Sequence, residues 1–212
     1  MICKRCEKFW AAVYARIDEW ERDASNESAL FSEESDEARE QIERAQNSDP
    51  SSALQLYIDA AEAGSIWSLE MVGWHYWTGT GVAVDLYKAL EYYHRAIGRG
   101  SWMATIYYAR LLAELGHYDD CEQTLANGIA ADFAPSYYWS ALFRYEQSRN
   151  SKVCRDVRPL LEFAAGKGHP GAIALLARWM MVGKFGLRNI PQGFRMVFQF
   201  VLRNKYSLAA RA

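Results

Sequence analysis

Apolar side chains recur at steps of three and four along most of the chain, the period of a helix with one buried face. Cys6, Phe9, Trp10, Val13, Ile17 and Trp20 trace such a stripe through residues 3–22. Ser68, Val72 and Tyr76, with Gly73 and Gly79, mark one face of a later helix. Ala89, Tyr92, Tyr93 and Ala96 mark the packing face of the helix after it. Few β-branched runs interrupt the pattern, and Ala, Leu, Glu and Arg abound, so residue choice also favours helix.

The pattern repeats. The segments "YIDAAEAGSIWSL", "YHRAIGRGSWMAT", "LANGIAADFAPSY" and "LEFAAGKGHPGAI" align, and their markers Gly64, Gly100, Asp132 and Gly168 lie 36, 32 and 36 residues apart. That period corresponds to one helix pair per unit. Each marker sits where a helix ends in a left-handed residue, a conformation least costly for glycine. Pro135 and Pro170 follow where a new helix begins, a position that tolerates a missing N–H. Small residues recur in two columns, Ser68, Ala104, Ser136 and Ala172, then Gly73, Ala109, Ala141 and Ala177. They predict close helix approach.

Five helix pairs follow, near 34–64, 65–100, 101–132, 133–168 and 169–204. Residues 1–33 are expected to form an amphipathic helix that caps the first repeat, then an acidic, serine-rich linker, because a terminal repeat needs a cover for its apolar face. Residues 34–204 form the repeat array and 205–212 a short tail.

The unit from Val72 to Gly100 resembles a Sel-one-like repeat, a relative of the tetratricopeptide repeat. The family pattern falls on Val72, Gly73, Tyr76, Gly79, Gly81, Val82, Asp85, Lys88, Ala89, Tyr92, Tyr93, Ala96 and Gly100. Val72 and Ile97 are conservative departures; the unit from Ser101 has a shortened turn, and the last unit lacks the Lys-Ala pair. The resemblance covers about Asp36 to Asn204. It implies an all-α solenoid whose first helices line a concave side, and an adaptor role without catalysis.

The first-helix columns opposite the packing face read Glu70, Trp74, Trp77; Ile106, Arg110, Ala113; Tyr138, Leu142, Tyr145; Ala174, Arg178, Met181. Exposed Trp, Tyr and Arg concentrate binding energy at interfaces. Glu70, Trp74, Trp77, Arg110, Tyr138, Leu142, Tyr145 and Arg178 are therefore the expected partner-binding residues.

Charge is uneven although the 212 residues carry a net charge of only −2. Residues 21–50 hold ten acids and three bases, and residues 141–212 hold thirteen bases and three acids. A basic C-terminal half admits nucleic acid as a partner, but its bases are scattered over several helices. Cys3-Lys-Arg-Cys6 has zinc-knuckle spacing, yet no second pair follows. With Cys121 and Cys154 the count falls far short of a disulfide scaffold, so a reduced, cytoplasmic protein is expected. No charge-free run is long enough to span a bilayer.

The turn "GTG" (Gly79 to Gly81) lacks a Walker lysine, and "GKGHPG" (Gly166 to Gly171) has no acid after it to bind a ribose, so no nucleotide site is expected. Glu91 and His94 have the spacing of a ligand pair but no matching second pair. The sequence leads to no catalytic, cofactor or metal-ligating residues and to a monomer when free. The protein partner has two open identities. One is a secreted toxin neutralised by a bacterial immunity protein, as a small, signal-less chain implies. The other is the target of a regulatory or assembly adaptor.

Overall fold

The computed structural model describes residues 16–25 and 34–209. Helix α1 is described over residues 16–25. From there the helices run α2 (Asp36–Gln46), α3 (Pro50–Glu62), α4 (Ile66–Thr78), α5 (Leu86–Gly98), α6 (Trp102–Glu114), α7 (Tyr118–Ala130) and α8 (Ala134–Ser148). They continue as α9 (Ser151–Asp156), α10 (Arg158–Gly166), α11 (Pro170–Met181), a 3-10 turn at Leu187–Asn189, and α12 (Ile190–Ala209). No strand occurs among the described residues. The protein is an all-α solenoid of helix pairs.

The repeat markers do what their spacing predicts. Gly64, Gly100 and Gly168 have φ of 108°, 95° and 96°, and Asp132 adopts the same left-handed region at φ 55°. The Tyr137 hydroxyl lies 3.1 Å from Asp132 Oδ1 and 3.0 Å from the Ile129 carbonyl, which share its one proton at this corner. Prolines open α3, α8, α10 and α11. Pro159 explains one departure from the expected pattern. The second helix of the fourth pair is broken at Val157 into α9 and α10, since a proline supplies no N–H to the preceding turn. A second departure lies at the other end: α12 runs to Ala209, so residues 205–209 are helical rather than tail.

The chain divides into two compact units. One spans Arg22–Gly128; the other joins residues 16–21 to the residues from Ile129 onward. In the first, Leu69, Val72, Ala89, Tyr93, Ala96, Met103 and Leu111 are fully buried. The small columns serve this packing: a Cβ on Gly73 would lie 2.8 Å from the Tyr93 ring. In the second, the core gathers Ile17, Tyr138, Ala141, Cys154, Leu161, Leu176 and Trp179.

That core corrects the expected place of the N-terminal helix. Ile17 packs among α8 and α11 residues of the fourth and fifth pairs, not on the first repeat. Residues 3–15 of the expected helix, most of the acidic linker, and the Cys3–Cys6 pair lie outside the described residues.

The "GTG" corner is structural. Gly79 closes α4 at φ 73°, and the buried His75 donates from Nδ1 to the Thr80 carbonyl at 2.6 Å. Gly81 also has φ 73°, and a Cβ there would lie 2.4 Å from the Pro50 backbone at the start of α3. Only glycine permits both that conformation and that approach.

Candidate partner-binding surface

Ser65, Ser101 and His169 cap the first helices of the second, third and fifth pairs and each also bonds an acid elsewhere in the chain, whereas Phe133 at the fourth makes no side-chain cap. In the unit Arg22–Gly128, Ser65 Oγ accepts the Ser68 N–H at 2.9 Å and donates to Glu34 Oε1. Ser101 Oγ accepts the Ala104 N–H at 2.8 Å and donates to Glu70 Oε1. Both serines are buried, so one hydroxyl satisfies a helix N-terminus and a carboxylate from the preceding repeat. Burial pushes the Glu34 carboxyl above its usual value, opposed by the bonds from Ser65 and the Trp67 N–H and by the Arg39 charge.

Glu70 is 5% exposed. It therefore holds the next repeat's helix N-terminus rather than presenting a free carboxylate, which corrects its expected role on the surface. Its neighbours on α4 do face outward. Trp74 is 39% exposed and meets the His75 ring edge-on at 5.4 Å. Trp77 is half-buried and donates from Nε1 to Glu114 Oε2 at 2.8 Å. The Arg110 guanidinium lies 5.2 Å from the centre of the Trp77 ring and 5.8 Å from that of Tyr107. Tyr107 accepts from Arg22 Nη2 at 3.2 Å. Arg22, Trp67, Glu70, Met71, Trp74 and Tyr107 line a cavity of about 360 Å³. Arg110 and Trp77 form a cation–aromatic pair, and Trp74, one turn earlier on α4, lines the hollow. Met71, Trp67 and Tyr107 belong to it and were not anticipated.

The unit from Ile129 onward arranges its predicted residues differently. Tyr138 is 2% exposed, another correction: its ring stacks on His169 at 4.4 Å and meets Trp139 edge-on at 5.1 Å. Leu142 is half-buried against the core. Tyr145 is half-buried, with its hydroxyl accepting from Lys184 Nζ at 2.6 Å and its ring 4.6 Å from Trp179. Arg178 is exposed on α11.

At the last helix pair the capping residue is His169. Its Nδ1 accepts the Ala172 N–H at 3.1 Å, so the proton sits on Nε2, which donates to Glu21 Oε1 at 2.9 Å. Trp139 Nε1 donates to the same oxygen at 2.7 Å. Glu21 and His169 are each 0% exposed, and Glu21 Oε2 is buried without a hydrogen-bond partner. The sequence held a signal for this: histidine replaces serine at the capping column, and an acid follows Trp20 on the apolar stripe of α1.

No family model and no curated protein matches the chain. Solved structures do. One is a Sel1 repeat protein from Oxalobacter formigenes, 20% identical, with TM-score 0.57 over 71% of this chain and 64% of its own. Another is a protective antigen of uropathogenic Escherichia coli strains that displays an SLR fold, 16% identical, with TM-score 0.58 over 85% of this chain and 40% of its own. The chain spans less than two thirds of either neighbour's length. It has the Sel1-like repeat fold. Among the described residues no helix is long and apolar enough to cross a membrane, and no cluster of three or more His, Cys, Asp or Glu could hold a metal.

Proposed function

We propose that the chain is a non-catalytic scaffold that holds a partner protein on the surface formed by Trp74, Trp77 and Arg110. The observation that carries this reading is the exposure of Trp74 beside the 360 Å³ hollow, with an arginine over the neighbouring indole. A large aromatic that the fold leaves 39% exposed supplies apolar area at little entropic cost, and the hollow offers a place for an anchoring side chain. Affinity capture followed by titration tests this. Trp74→Ala should weaken the captured complex by about 2 kcal/mol with little loss of stability. Unchanged affinity would remove the surface from the reading.

Within this reading the partner is a toxin that the chain neutralises in the cytoplasm of a bacterium. Co-expression separates that from an adaptor role: a captured partner that is lethal alone and harmless beside this chain supports immunity, and one that is harmless alone supports an adaptor.

A further inference from the structure

The junction into the fifth helix pair differs from those at Ser65 and Ser101 at three positions, and two of them, His169 and Gly171, meet α1. Where Ser65 and Ser101 cap their helices, His169 stands; where Glu34 and Glu70 supply the preceding acid, Tyr138 stands. Two residues after the cap, Trp67, Met103 and Pro135 give way to Gly171. A Cβ at Gly171 would lie 2.8 Å from Ile17 Cδ1 and 2.7 Å from the Tyr138 ring. The imidazole reaches farther than a serine hydroxyl, the Tyr138 ring supports it from below, and the glycine opens room for Ile17. Trp139 adds a second donor to the Glu21 oxygen that His169 holds. Serine and glutamate achieve the same capping elsewhere, so stability of the repeat does not require these changes. They form a receptor for a helix.

The helix it holds has a defined reading face. Ile17 and Glu21 are buried and Trp20 half-buried, while Asp18, Glu19 and Arg22 are exposed. Positions i, i+3 and i+4 thus dock as Ile-x-x-Trp-Glu. The acid gives the recognition its direction, because Glu21 Oε1 accepts from two buried N–H donors and an apolar side chain in its place would leave both unpaired. The fit is incomplete, since Glu21 Oε2 finds no partner. Half of a buried carboxylate left bare disfavours the docked state and makes it displaceable.

We propose that the face of α8 and α11 around His169, Trp139 and Gly171 is a binding site for an amphipathic helix bearing Ile-x-x-Trp-Glu. The chain's own residues 17–21 fill it, and a partner helix of the same chemistry displaces them. This rests on the interaction-scaffold reading and supplies it with a ligand class.

The probe is a fluorescently labelled synthetic peptide of residues 9–25, added to the full chain. Ile17→Asp in the chain releases its own helix, so this variant should take the peptide at least roughly tenfold more tightly than the unaltered chain. Peptide carrying Glu21→Ala should bind roughly ten- to a hundredfold more weakly. Adding His169→Ser and Trp139→Phe to the released chain should abolish the preference for Glu21, since the cap and the ring remain but both donors are gone. A folded Ile17→Asp chain that ignores the peptide, or one that binds the Glu21→Ala peptide equally well, overturns the proposal. If Ile17→Asp does not fold, Glu21→Ala in the chain replaces it, with the same two outcomes. The titration contains no partner protein, so its failure leaves the Trp74 surface standing, and failure of Trp74→Ala leaves this site standing.

Discussion

The junctions of the unit Arg22–Gly128 and the junction at His169 solve one problem in two ways. At Ser65 and Ser101 a hydroxyl ties the start of a helix to an acid of the repeat just before it, 31 residues back in each case. At His169 the acid comes from a helix 148 residues away. The first arrangement is local and can be copied along an array. The second is bespoke and spends the junction on holding a separate helix. The difference teaches that a regular scaffold reveals its specialised repeat by where it abandons the shared capping chemistry.

Replacing His169 should break that contrast most sharply. His169→Ala removes a cap, a stacked ring and a donor to a buried carboxylate, and should lower stability by about 3 kcal/mol or more in denaturant titration. His169→Ser should cost less, because the cap survives. If the two cost the same, the Glu21 bond rather than the cap dominates. Ser101→Ala should come next, at about 2 kcal/mol, since it strips a cap and leaves the buried Glu70 short of a donor. Ser65→Ala should cost about 1 kcal/mol, because Glu34 is only half-buried and water can replace the lost bond. Equal losses at Ser65 and Ser101 would show that burial of the acid is immaterial.

The smallest effect is one of pH. Burial raises the Glu34 carboxyl, so the folded chain binds that proton more tightly than the unfolded chain does. The stability that the bound proton contributes is complete below the ordinary carboxylate value and is lost as pH rises through the raised one. Glu34→Gln should flatten the melting temperature across that window. A slope unchanged from the parent would assign it to other groups.

Much of this architecture was legible from residues alone. Gly64, Gly100, Asp132 and Gly168 announced their positive φ through spacing, and the small columns announced close helices. The surface was legible in part. A helical period set the exposed Trp74 apart from the core, although Trp77, read on the same face, packs partly against that core. It misplaced Glu70 and Tyr138, because their column lies beneath the next repeat's capping residue, a relation between units that no single helix displays. The stripe of α1 likewise showed that Ile17 would be buried but not against what. Its partners are fixed by a histidine reach and a glycine gap more than a hundred residues later.

That distance has a consequence during synthesis. Most ties between repeats close within a few tens of residues, so each pair can form as soon as it leaves the ribosome. Glu21 must wait for His169, and at roughly 5–20 residues per second the 148 intervening residues take on the order of ten seconds to appear. Until then Ile17 lacks the α8 and α11 residues that bury it. Seating of Ile17 and Glu21 therefore waits for α11, and a chaperone that meets the growing chain before then meets Ile17 and Trp20.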